Sequence, residues 1–188
     1  MDDRRDEVLM MQFRDQRDPR AMVTLFRRHH QAVFRYLVRR TGSADRAQDL
    51  AQEVFAALID GAARYRPAGS FRAYLFRIAR NLSAKEWRGY RRRVQLEREP
   101  AAAAPAAAER IDGARQAAAV RRALAGLDDE QREPIMLREY QGLSYAEIAA
   151  VLGVPAGTVK SRIARGKLAL RRLLLQPDAA PAVQEVAR

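Results

Sequence analysis

There is no cysteine in the 188 residues. Disulfides, thiolate metal sites and cysteine nucleophiles are thereby excluded. Histidine is nearly absent too: His29 and His30 are the only two, and being adjacent they point to different faces of any helix. They are poorly placed to share a metal, and ordinary surface or boundary histidines are the simpler reading. No cofactor or metal is expected. No nucleophile, base and orienter come together, so an enzyme is not expected either. Long apolar runs are missing, with nothing near the ~20 residues a bilayer-spanning helix needs. The start, MDDRRDEVLM, has no apolar signal core. A cytoplasmic protein with no membrane insertion is the expectation. Strand-like alternation is not found, and periodicity is helical wherever it is legible. The expected fold class is therefore all-α. Acid is in short supply: 35 Lys and Arg stand against 23 Asp and Glu, a net charge of +12. Nucleic acid leads as the partner class, with an anionic membrane surface second.

The charge is uneven. Residues 1–95 carry 21 basic and 11 acidic side chains, residues 96–115 carry 3 and 4, and residues 116–188 carry 11 and 8. The middle, EREPAAAAPAAAERIDGAR, is slightly acidic and rich in Ala. Pro100 and Pro105 interrupt helix there, and no apolar stripe would dock it. The spacing predicts two small helical domains joined by a flexible linker at 95–116. The first domain spans 18–94 and the second 117–175. Residues 1–17 form an N-terminal segment with a weak stripe at Val8, Leu9 and Phe13 that permits a short helix. Residues 176–188 read as a disordered tail.

In the first domain Asp18-Pro19 is a good helix start. Met22, Leu25, Phe26, Val33, Phe34 and Leu37 recur at helical spacing up to Thr41-Gly42. Ser43 caps the next helix, whose core face is Ala47, Leu50, Val54, Phe55 and Leu58. Asp45, Asp49 and Glu53 recur every four residues on another face. A solvated face, a divalent-metal site and a dock for a basic partner compete there; spacing alone favours the solvated face. After GAARYRPAG, Ser70 caps one long helix, SFRAYLFRIARNLSAKEWRGYRRR. Phe71, Tyr74, Leu75, Ile78 and Leu82 form its predicted core side. Phe76, Arg80 and Trp87 fall nearly opposite, with Arg77 and Arg88 between. Rings beside arginines are what unpaired nucleic acid needs, because bases stack on rings and phosphates pair with guanidinium groups. Packing of Phe76 and Trp87 against another helix is the equal alternative.

The stretch from Leu143 to Leu175 reads as a helix-turn-helix. Ser144 with Glu147 makes a capping box, and Leu143 with Ile148 a hydrophobic staple. Gly153 suits a left-handed stop and Pro155 the first turn of the following helix. Ala149 must be small at the helix crossing. Val159, Ile163 and Leu170 give the second helix an inward stripe. Its outward face carries Lys160, Arg162, Arg165, Lys167, Arg171 and Arg172, with no acid between Pro155 and Leu175. The residues before it are the reverse, with Asp128, Asp129, Glu130, Glu133, Glu139 and Glu147 outweighing Arg132 and Arg138. Such a boundary orients the module on a polyanion, second helix inward. Pro134 removes a helical hydrogen bond and predicts a bend or a late helix start.

DLAQEVF at 49–55, SFRAYLFRIARNL at 70–82 and GLSYAEIAAVLGVPAGTVKSRI at 142–163 occur in one order. Together they resemble bacterial sigma factors of the small extracytoplasmic-function group, from about Asp18 to Leu175. The resemblance implies a region 2-like bundle and a region 4-like helix-turn-helix domain that bind core RNA polymerase and direct it to promoters. It implies that Asp49, Gln52 and Glu53 dock on the polymerase, which replaces the solvated-face reading. It implies that the loop with Arg64, Tyr65 and Ser70, then Arg77, Arg80, Asn81, Trp87 and Arg88, meets the opened minus-ten strand. It implies that Lys160, Ser161, Ala164 and Arg165 face bases of the minus-thirty-five element in the major groove, with Thr158 also on the DNA-binding surface and Arg162 and Lys167 nearer phosphates. An anti-sigma factor is the expected regulatory partner. Leu127-Asp128 departs from the family's usual Leu-Pro. A stand-alone helix-turn-helix regulator and a recombinase-like enzyme are the rival readings.

Overall fold

The computed structural model describes residues 4–96 and 108–175. Helix α1 (Asp6–Gln16) lays Leu9, Met10 and Phe13 onto α2 (Pro19–Thr41), while Val8 faces out. Burying three such side chains contributes roughly 1.5–3 kcal/mol each. The N-terminal segment is thus part of the first bundle. Asp18 caps α2 by accepting from the Arg20 amide at 2.9 Å. The helix ends at Gly42, at φ +69°. A Cβ there would lie 2.2 Å from the Tyr90 ring, so glycine is required twice over. Helix α3 (Ala44–Asp60) starts on Ser43, which accepts from the Arg46 amide. It packs along α2 through Ala47, Leu50, Ala51, Val54, Phe55 and Leu58.

The predicted long helix is two. Helix α4 (Phe71–Leu82) stops at Ser83, and α5 (Ala84–Leu96) follows. The Ser83 hydroxyl donates to the Ala79 carbonyl at 2.7 Å, a back-bond that competes with helix continuation. The face assignment changes as well. Phe71, Ala73, Leu75, Phe76 and Ala79 are all buried, whereas Leu82 is exposed. Phe76 points inward because α4 is covered on more than one side, and its ring meets Tyr36 edge-on at 5.4 Å. Ser70 precedes α4 without capping it; the free Phe71 amide donates instead to Glu7 Oε1 at 2.8 Å.

In the second half, α6 (Ala108–Gly126) begins inside the stretch read as linker, while the rest of that stretch between helices, residues 97–107, and the tail 176–188 lie outside the described residues. Helix α7 (Asp129–Glu139) neither starts late nor stops at Pro134. Arg132 anchors the first turn of α7. Its Nη1 donates to the carbonyls of Leu124, Ala125 and Leu127 at 3.3, 3.4 and 2.6 Å, tying the end of α6 to α7. Helix α8 (Tyr145–Leu152) and α9 (Ala156–Leu175) form the helix-turn-helix. The capping box is present in both directions, and Gly153 is left-handed at φ +71°. Leu143 and Ile148 are both fully buried, and Val159 and Ile163 hold α9 down. Helices α7 and α9 cross closely at Gly166, where a Cβ would sit 2.7 Å from Ile135 Cδ1 and 3.1 Å from the Gln131 carbonyl.

The two halves touch. Helix α4 packs on α8 and α5 on α6. Ser70 donates to Glu147 Oε1 at 2.7 Å, Arg72 to the Gln141 carbonyl, and the Arg39 guanidinium lies 4.2 Å from the centre of the Tyr140 ring.

Candidate nucleic-acid interface

On α9 the inward stripe leaves a solvent face. Lys160, Ser161, Ala164 and Arg165 are exposed on it, and Thr158 is half-buried at its start. Lys160 and Arg165 make no hydrogen bond or ion pair with the described residues. Arg162 and Lys167 differ. Arg162 pairs with Glu130 at 2.9 Å and Lys167 with Glu139 at 2.7 Å. The acidic helix α7 thus neutralises one flank of α9 and leaves the other free. Ser161 donates to the Thr158 carbonyl at 2.9 Å, so its hydroxyl keeps lone pairs for an outside donor.

The residues singled out for unpaired nucleic acid are split. Arg64, Arg77, Asn81 and Arg88 are exposed, and Arg80 is half-buried. Ser70 is engaged by Glu147. Tyr65 is buried against Phe71 and Tyr74, with ring centres 6.4 and 5.1 Å away. Its hydroxyl has no partner among the described residues, and burial pushes its pKa up to about 12. It shapes the loop from inside and offers no ring to a base. Trp87 is only 5% exposed. Its ring lies 4.2 Å from the Arg132 guanidinium and 5.3 Å from that of Arg40, and its Nε1 donates to Asp129 at 3.2 Å. Phe76 is wholly buried and leaves the outward aromatic set.

The acidic face of α3 is open. Asp45, Asp49, Gln52 and Glu53 are exposed, with Arg46 reaching Asp49 at 3.8 Å, Glu53 at 3.6 Å and Glu86 at 3.1 Å. Arg46 thus stands between the carboxylates of α3 and Glu86 of α5, and among the described residues no group of three or more His, Cys, Asp or Glu could hold a metal ion. Nor is any described helix long and apolar enough to cross a membrane.

Sequence reasoning missed Tyr36, Arg40 and Glu133. Tyr36 donates to Glu133 Oε1 at 2.6 Å, Arg40 pairs with Glu133 Oε2, and all three are buried between the halves. Burial holds the Tyr36 hydroxyl well above the usual phenol range; Arg40 opposes this and Glu133 adds to it. The hydroxyl therefore stays a donor. A cavity of about 280 Å³ adjoins this triad, lined from one side by Arg40, Arg80, Asn81 and Arg88, and from the other by Asp129, Glu130 and Arg162. Only the spacing of Tyr36 and Arg40, one helical turn apart beside core positions, could have marked them. Their acidic partner comes from the other half of the chain.

Two sequence families match. Sigma-70 region 2 covers residues 25–93, and Sigma-70, region 4 covers residues 117–170. The chain is 37% identical over 156 residues to the ECF RNA polymerase sigma factor SigE of Mycolicibacterium smegmatis, spanning 80% of this chain and 60% of that protein. It is 37% identical over 159 residues to a probable RNA polymerase sigma-C factor of Mycobacterium bovis, spanning 80% and 82%. Among solved structures it is similar to CnrH in complex with the cytosolic domain of CnrY, at a TM-score of 0.71 and 29% identity over 93% of this chain and 99% of that one. It is also similar to the sigma factor RpoE in complex with the anti-sigma factor NepR from Bartonella quintana, at 0.60 and 28% over 83% and 97%.

Proposed function

Because the chain belongs to the extracytoplasmic-function sigma factors, we propose that it binds core RNA polymerase, directs it to a set of promoters and assists strand opening. The observation that carries the reading is the exposed Lys160 and Arg165 on α9, unpaired among the described residues, behind the left-handed Gly153 turn, in a chain whose other half matches region 2. The family match does not favour a stand-alone regulator.

The proposed mechanism is binding without catalysis by this chain. Lys160, Ser161 and Arg165 meet base edges in the major groove, Ala164 offers a methyl contact, and Thr158 supports the helix start. Arg171 and Arg172, with Arg162 and Lys167 once released from α7, face phosphates. Asp49, Gln52 and Glu53 dock on a basic surface of the polymerase. Arg64, Arg77, Arg80, Asn81 and Arg88 hold the opened strand, and Trp87 supplies a stacking ring worth ~1–3 kcal/mol per base. Ser70 sits at the loop's edge, and Tyr65 holds the loop in shape. The domains proposed are 18–94 for polymerase docking and minus-ten recognition and 117–175 for minus-thirty-five recognition. RpoE's complex with NepR supports an anti-sigma factor as this chain's own regulator. Run-off transcription with purified core polymerase on a promoter library tests the reading. Transcripts that need both the chain and a shared upstream sequence are expected; transcripts independent of the chain overturn it.

A further inference from the structure

Helix α1 bridges the two ends of the loop proposed to meet the opened strand. At the start of that loop, Arg14 Nη1 donates to the Tyr65 carbonyl at 3.1 Å. At its end, Glu7 Oε1 accepts from the Phe71 amide at 2.8 Å. Glu7 supplies what Ser70 does not, an acceptor for an orphan amide at the start of α4, and its charge sits at the positive end of that helix. Arg14 is itself oriented, because Asp15 takes its Nε and Nη2 at 2.6 and 2.9 Å. Arg66 Nη1 is a second donor to the Tyr65 carbonyl, at 3.1 Å. Beneath the loop the buried Tyr65 ring packs on Phe71 and Tyr74. Between the two ties, Arg66, Pro67, Ala68 and Gly69 are exposed.

Helix α1 is fixed in its turn. Asp6 pairs with His29 Nε2 at 2.7 Å and with Arg28 Nη1 at 2.6 Å, and Arg28 also reaches the Arg4 carbonyl at 2.8 Å. Leu9, Met10 and Phe13 are buried beneath it. Glu7 and Arg14 stand seven residues apart, which is two turns along one face, or about 10 Å. That spacing sets the span at which the ends of the loop are held. Both ties are made within the first half, and α1 precedes residues 25–93, which match Sigma-70 region 2.

We infer that Glu7 and Arg14 are positioning residues for the strand-reading loop: by fixing its two ends they set which base the exposed arch accepts, so α1 shares in minus-ten selectivity without touching DNA. The inference rests on the proposed function and deepens it. A loop released at either end keeps its side chains but samples more shapes, and discrimination between bases falls with the loss of that preorganisation.

The test uses the full chain with core RNA polymerase and promoters varied one base at a time through the minus-ten element. The variants are Glu7→Ala, Glu7→Gln and Arg14→Ala, with Ser43→Ala as control. Ser43→Ala removes the acceptor of the Arg46 amide at the start of α3, which lowers stability away from the loop. Glu7→Ala and Arg14→Ala are each expected to cut the preference for the favoured base at one minus-ten position about tenfold, the worth of one charge-assisted hydrogen bond. Preference at the minus-thirty-five element stays at the wild-type level. Glu7→Gln keeps an oxygen for the Phe71 amide and retains most of the preference. Ser43→Ala retains all of it while its urea midpoint falls.

Should Glu7→Ala fail to fold, Arg14→Ala carries the test, since its side chain is only half-buried. Unchanged minus-ten preference in the alanine variants overturns the inference. Equal loss at both promoter elements overturns it too, as does the same loss in Ser43→Ala, because α1 would then act through stability alone. A wild type that starts no transcripts with core polymerase overturns the proposed function instead, and shows this before any variant is compared.

Discussion

Arg165→Ala separates base reading from general attraction to DNA. Arg165 is exposed on α9 and bonds to none of the described residues. Its removal therefore leaves no buried group unpaired, and folding stability should move by no more than ~0.5 kcal/mol, as for other surface changes. The loss appears only on DNA. A good side-chain contact to a base edge is worth ~1–3 kcal/mol of discrimination, which is roughly a five- to 150-fold loss of preference for the cognate promoter. Arg171→Ala, one of the phosphate-facing set, should weaken all sequences alike and reduce the slope of log affinity against log salt by about 1. Competition between a cognate and a base-substituted promoter, measured with core polymerase at several salt concentrations, reads both effects. Equal loss for Arg165→Ala on every promoter, with a reduced salt slope, would refute its placement at a base edge.

Three other outcomes follow from local geometry. Ser144→Ala removes the acceptor of the Glu147 amide, 3.2 Å away, and should cost about 0.5–2 kcal/mol in urea unfolding. Gly42→Ala combines left-handed backbone with a Cβ driven into the Tyr90 ring. It should cost about 2–5 kcal/mol, from roughly 1–2 for the backbone and 1–3 for overpacking, and equal stability to wild type in urea would contradict that crowding. His29 is held below the ordinary histidine value of 6.5, by burial first, with Asp6 opposing. The unfolded chain therefore binds more protons just below that pH, so His29's contribution is complete above 6.5, falls as the pH drops through it, and levels off below the folded value. Urea midpoints measured from pH 7.5 to 5, on the wild type and His29→Gln, should show that loss only in the wild type.

The helix-turn-helix was legible because its signals are local. Ser144, Glu147 and Gly153 act within a turn of themselves and sit where their chemistry places them, while Pro155 stands just before α9 and not in its first turn, its carbonyl accepting from the Val159 amide. The Ser83 break and the buried Phe76 were not legible. A periodicity argument assumes one buried side, but α4 is covered by α3 and α8 at once. Nor could composition show that Arg40 and Arg132 are buried cations, since Glu133 lies 93 residues from Arg40, and the carbonyls that hold Arg132 belong to the end of another helix. The same distance in sequence hid the fate of Trp87. Its ring is buried against the guanidinium groups of Arg40 and Arg132, which lie far from it in the chain. On α3 charge periodicity alone favoured a solvated face, and the docking reading rests on the resemblance to a known family.

The most direct measurement is initiation itself: purified chain, core RNA polymerase and a library of double-stranded promoters, with transcripts sequenced from their first nucleotide. The account predicts start sites that appear only when the chain is added and that share two upstream elements, the distal one losing its sequence preference in Arg165→Ala. An account-breaking result is a chain that fails to associate with core polymerase, or an added chain that leaves the set of start sites unchanged.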